Sequence, residues 1–128
     1  LGIRDRPALE SHPKLGASWE GFAIEQILAW AGERNAYFWA THRGAELDLL
    51  LRHGNKRWGF EFKCADAPTA SRSMHIALDD LGLEKIWVLH PGSARYRLHE
   101  KIECVGLGDL GSIEAAVLGR RRSRAQAR

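Results

Sequence analysis

Read along the chain, apolar residues first recur at helical intervals. Ala23, Ile24, Ile27, Leu28 and Ala31 form one stripe within residues 14–31, and Gly32 follows as a stop. AYFWA (36–40) reads as a short aromatic strand. Residues 45–52 and 57–64 alternate apolar and polar positions around Gly54-Asn55, the pattern of a hairpin with a two-residue turn. Pro68 and Thr69 break the chain, and Thr69 or Ser71 caps a second helix that runs to Leu81 and closes at Gly82. KIWVLH (85–90) is a buried strand ended by Pro91-Gly92. Segments 95–98 and 101–105 are further strand candidates, before a short helix over 109–118. The order αβββαβ, with a small C-terminal appendix, predicts an α/β domain: a central mixed sheet with flanking helices. If the strands on either side of the second helix are parallel, that connection is a right-handed crossover.

The hairpin carries an unusual number of acids. By strict alternation Ala45, Leu47, Leu49 and Leu51 share one face, and Glu46, Asp48 and Leu50 the other. In the second strand Trp58, Phe60 and Phe62 are apolar, and Gly59, Glu61 and Lys63 lie opposite. The turn register sets Asp48 against Glu61, and Glu46 against Lys63. Like charges directly opposed are unfavourable by a few tenths of a kcal/mol or more. Two accounts of that cost stand: a solvated face, or a bound cation.

Glu20 adds a third acid, because it extends the apolar stripe of the first helix and not its polar face. It is either a first-turn residue at the rim of the core, favoured by the helix dipole, or a group turned toward the hairpin acids. In the second case Glu20, Asp48 and Glu61 converge, and three carboxylates suit Mg2+ or Mn2+.

Composition changes this picture little, and charge changes it more. The length of 128 residues fits one domain. The net charge of +3 includes five arginines in RRRSRAQAR (120–128); without them residues 1–119 stand at −2. The high pI therefore belongs to the tail, which reads as a solvated, disordered end or as a phosphate contact, and not to a basic face of the domain. Residues 1–13, with Pro7 and Pro13, read as a lead-in. Cys64 and Cys104 match neither a disulfide framework nor a zinc site, read as small hydrophobes at strand ends, and fit a reducing cytoplasm. No apolar run is long enough to span a membrane. The first residue is Leu, which predicts a longer parent protein. The tryptophans read as core, and His42, His53, His75, His90 and His99 lack ligand spacing and read as surface or strand-end residues. His75 and Arg72, on the second helix, are secondary candidates for phosphate contact.

A helix bearing an acid, then Asp48 on one strand and Glu61-Phe62-Lys63 on the next, resembles the PD-(D/E)XK nuclease superfamily. Gly44, Glu46 and Asp48 give its G-x-E-x-D variant. Over a longer span, HPKLGASWEGFAIEQIL (12–28), FWATHRGAELDLLL (38–51), GFEFK (59–63) and DLGLEKIWVLHPG (80–92) are similar to a C-terminal domain attached to bacterial and archaeal AAA+-type ATPases. That family carries a domain-of-unknown-function label and is considered nuclease-like. Trp19 and Gly21 depart from the smaller or aliphatic and polar residues expected around the helix acid.

The resemblance implies a restriction-endonuclease-like core over residues 1–119 and divalent-metal-dependent hydrolysis of DNA phosphodiesters. Asp48 and Glu61 would bind Mg2+ or Mn2+ with the Phe62 carbonyl, and Glu20 would act directly or through water. Lys63 would orient or deprotonate the attacking water, and Glu46 would tune Lys63. ATP would belong to an upstream ATPase partner domain, since no GxxxxGK[ST] loop occurs here. The alternative is a non-catalytic nuclease-fold module that binds DNA or a partner and relays state to that ATPase. A homo-oligomer is compatible with either.

Overall fold

The computed structural model describes residues 14–119, with side chains from residue 18 onward. The lead-in and the arginine tail lie outside the described residues. Three helices, α1 (Lys14–Ala31), α2 (Arg72–Leu81) and α3 (Leu110–Leu118), pack on six strands. The strands are β1 (Ala36–Ala40), β2 (Glu46–His53), β3 (Lys56–Phe62), β4 (Lys85–His90), β5 (Tyr96–His99) and β6 (Ile102–Gly106). They form one open sheet in the order β1-β2-β3-β4-β6-β5. The fold is thus α/β with a mixed sheet: β3, β4 and β6 are parallel, and the remaining neighbours are antiparallel.

Local signals explain most of the elements. The Ser71 hydroxyl accepts from the Met74 N–H and so caps α2, and Gly82 ends that helix at φ 61°. Gly54 supplies the positive φ of the β2–β3 turn. β4 sits centrally and is buried from Ile86 to His90, as a parallel strand covered on both faces must be.

Each sheet face has its own core. On one, Ala23, Ile24 and Ile27 of α1 and Ile113 and Val117 of α3 cover Leu49, Leu51, Trp58, Phe60, Phe62, Trp87, Leu89 and Val105. On the other, Met74, Ala77 and Leu78 of α2 cover Leu47, Leu50, Ile86, Val88 and Ile102. The segment expected as an appendix is more than that, because β6 inserts beside β4 and buries Ile102, Cys104 and Val105.

Two expectations need correcting. Leu47 shares the α2 face with Leu50, whereas strict alternation places it with Leu49 and Leu51. The cause is a bulge: Tyr37 pairs with Leu50 but Trp39 with Leu47, so Asp48 and Leu49 together oppose Phe38. Cys64 is exposed beyond β3 and is no part of the core, unlike the buried Cys104.

Candidate metal centre

The hairpin ladder follows the predicted register from His53–Lys56 as far as Leu49–Phe60 and then stops. From there carboxylates take over the role of backbone carbonyls. Glu61 Oε2 accepts the Asp48 N–H at 2.6 Å, and Asp48 Oδ2 accepts the Phe62 N–H at 2.9 Å. The bulge re-aims Asp48, and β3 turns from β2 to β4, where the Lys63 N–H bonds the Leu89 carbonyl at 2.9 Å. Two acids thus interlock at the point where β2 and β3 part, beside the carboxyl end of β3.

The electrostatics of this pair are unbalanced. Glu61 is only 6% exposed. Its carboxyl is pushed up to about 8, first by burial and then by the Asp48 charge; the hydrogen bond from Asp48, and Lys63, pull the other way without offsetting this. Lys63 Nζ stands 3.9 Å from Glu61 Oε1 and is half-exposed, a loose contact. Glu20, half-buried on α1, also adds its charge to the field that raises Glu61.

Asp48, Glu61 and Lys63 are therefore brought together, and Glu20 acts on Glu61 through space. Among the described residues, no group of three or more His, Cys, Asp or Glu side chains is placed to hold a metal ion. Asp48 and Glu61 interlock, but Glu20 does not complete a three-carboxylate group with them. Glu46, exposed, lies past the end of the β2–β3 ladder with Ala40 as its strand partner, and Lys63 Nζ lies near Glu61 Oε1. His75 packs edge-on against His99 of β5, the edge strand opposite β1, at 4.9 Å between ring centroids. His90 ends β4, as expected, but is buried: Nδ1 accepts the Gly92 N–H, and Nε2 then donates to the Ala94 carbonyl.

One feature on the α1 side of the sheet was not legible in the sequence. A cavity of about 400 Å3 is lined by Trp19, Phe22, Gln26, Pro91, Leu107 and Leu110. Trp19 meets Phe62 edge-on at 6.4 Å, which links this cavity to the strand that carries Glu61. Phe22 is 53% exposed, a large apolar side chain left in solvent. Only the pairing of α1 with the β4 and β6 ends creates the cavity, so no local motif announces it.

Fold and site together define an open mixed-sheet α/β domain with an acid pair set where two strands diverge. The chain belongs to the family described as a domain of unknown function (DUF4143), whose model matches residues 15–110. It is 46% identical over 105 residues to uncharacterized protein Rv2008c of Mycobacterium tuberculosis and, equally, to uncharacterized protein Mb2031c of Mycobacterium bovis. The match covers 82% of this chain but 24% of each relative, so the chain spans about a quarter of their length. No solved structure matches it. Among the described residues, no helix is long and apolar enough to cross a membrane.

Proposed function

We propose that Asp48, Glu61 and Lys63 form a divalent-metal-dependent site for phosphodiester hydrolysis on a restriction-endonuclease-like core. The observation that supports this most is the interlocked Asp48–Glu61 pair, in which burial and the Asp48 charge push the Glu61 carboxyl up to about 8. A cation held between two such carboxylates would offset the repulsion that raises Glu61. The donor set suits Mg2+ or Mn2+: oxygen atoms only, two carboxylates and the Phe62 carbonyl, with water completing the shell. Bound there, the cation would polarise a phosphoryl oxygen and acidify a water.

The remaining chemistry belongs to the chain. The two backbone N–H bonds hold Asp48 and Glu61 in fixed orientations, so little reorganisation accompanies reaction. Lys63, half-exposed beside Glu61 Oε1, orients the attacking water and stabilises charge that develops on the phosphate. Glu20 tunes the pair from α1. Trp19 and the exposed Phe22 offer a wall against which an unpaired base can stack. The sequence resemblance further implies an attached ATPase, for which the unmatched three quarters or so of the relatives leave room.

A second reading is favoured by one observation: residues 1–119 carry a net −2 and no basic face is implied. On that reading the domain binds metal or a partner and relays state to the attached ATPase without cutting. Incubating the chain with single- and double-stranded oligonucleotides and Mn2+ separates the two. Cleavage by wild type that is lost in Asp48→Ala and Lys63→Ala supports hydrolysis. Metal binding without cleavage supports the second reading.

A further inference from the structure

The open sheet ends in two differently finished edges. β5 (YRLH) alternates exposed Arg97 and His99 with partly buried Tyr96 and Leu98. β1 (AYFWA) has no charge and no proline, and all five of its residues are partly exposed. Among the described residues β2 is its one strand neighbour. Edge strands usually carry charges, prolines or bulges that prevent pairing with another chain, and an unprotected apolar edge is a template for a further strand.

The sequence of β1 reads nearly the same in both directions. A second β1 running antiparallel, with Phe38 on the two-fold axis, sets Ala36 against Ala40, Tyr37 against Trp39 and Phe38 against Phe38. Small residues face small and aromatic residues face aromatic. A two-fold contact of this isologous kind closes with two copies.

We propose that the β1 edge is a self-pairing surface through which two copies of this chain join their sheets into one. Phe38 opposes the Asp48–Leu49 bulge, so the axis also sets the two Asp48 backbones about 14 Å apart, three strand spacings, on one face of the joined sheet. The pairing itself rests on β1 and stands whether or not the acid site is hydrolytic.

Sedimentation velocity over about 1–300 µM tests this, since a five-residue strand buries less than a standard interface and gives a micromolar dimer. The mass is expected to rise from 14.4 kDa toward twice that value. Phe38→Lys sets like charges in register across the axis and is expected to weaken association at least tenfold, about 1.4 kcal/mol, with an unchanged circular dichroism spectrum. Should that variant fail to fold, Phe38→Cys in a Cys64→Ser background reads the same register: oxidation yields a dimer linked through position 38. A monomer at every concentration, as when another segment covers β1, overturns the proposal. So does a dimer indifferent to Phe38→Lys, or the absence of a cross-link at position 38.

Discussion

Glu61 on β3 and Glu103 on β6 are the same residue type on the same sheet, and both are largely withdrawn from water. Their surroundings drive them in opposite directions. Glu103 accepts from Lys85 Nζ at 2.7 Å and from Arg95 Nε at 2.8 Å, and Arg95 reaches on to Ser112 of α3. Its carboxyl is held down at about 2, by the Arg95 hydrogen bond first and then Lys85, against the effect of burial. Glu61 meets an acid where Glu103 meets two bases, and stands at about 8. The contrast separates a closed structural network, which ties β4, β6 and α3 together, from a carboxylate whose nearest strong neighbour is another acid.

The largest expected difference lies in catalysis. Asp48→Asn keeps the size and hydrogen-bonding shape of the side chain but removes its charge; under the proposed hydrolysis it is expected to lower any Mn2+-dependent phosphodiester cleavage about 1000-fold. Glu103→Gln, which removes the charge from the other site, is expected to leave cleavage unchanged. Equal losses in both variants, measured on one oligonucleotide, would erase the distinction.

Stability comes next, with opposite signs at the two sites. Glu103→Ala strips Lys85 and Arg95 of their shared partner and is expected to cost about 1–3 kcal/mol in urea denaturation at pH 7. Glu61→Gln removes a buried charge that Asp48 opposes, and is expected to stabilise the metal-free chain at pH 8, by roughly 1 kcal/mol or more. A loss of stability in Glu61→Gln at pH 8 would mean that Glu61 serves the fold as Glu103 does.

The pH profile sharpens the same contrast. Between its usual 4.5 and about 8, the folded chain holds a proton at Glu61 that the unfolded chain has released. Stability from this group therefore falls as pH rises through that window. Glu103 acts at the acid end: its contribution is complete above 4.5 and is lost as pH falls toward 2. Thermal melts from pH 2 to 9 should show Glu61→Gln flattening the alkaline limb and Glu103→Gln the acid limb. The smallest effect is that of salt. Raising NaCl to 1 M is expected to weaken the partly exposed Glu103 network by a few tenths of a kcal/mol, visible as a small shift in Tm.

How far the sequence foretold all this depends on the range of each interaction. The α1 stripe, the Gly54-Asn55 turn, KIWVLH and the choice of Thr69 or Ser71 as cap are signals of a few residues; the structure places the first three where they indicate and resolves the cap as Ser71. The Asp48–Glu61 pairing was legible too, because a two-residue turn sets the register of everything above it. The bulge was not, because LDLLL is equally apolar read in either frame and only β1 decides which leucine faces α2. The place of β6 beside β4, and the meeting of Lys85, Arg95, Glu103 and Ser112, depend on contacts between elements that no short window contains.

Calorimetric titration of Mn2+ into the chain at pH 7 decides whether the Asp48–Glu61 pair is a cation site. One ion is expected per chain, with release of about one proton as Glu61 ionises, and with no binding in Asp48→Ala. Absence of binding by the wild type, or binding that Asp48→Ala leaves intact, would rule out a cation site at this pair.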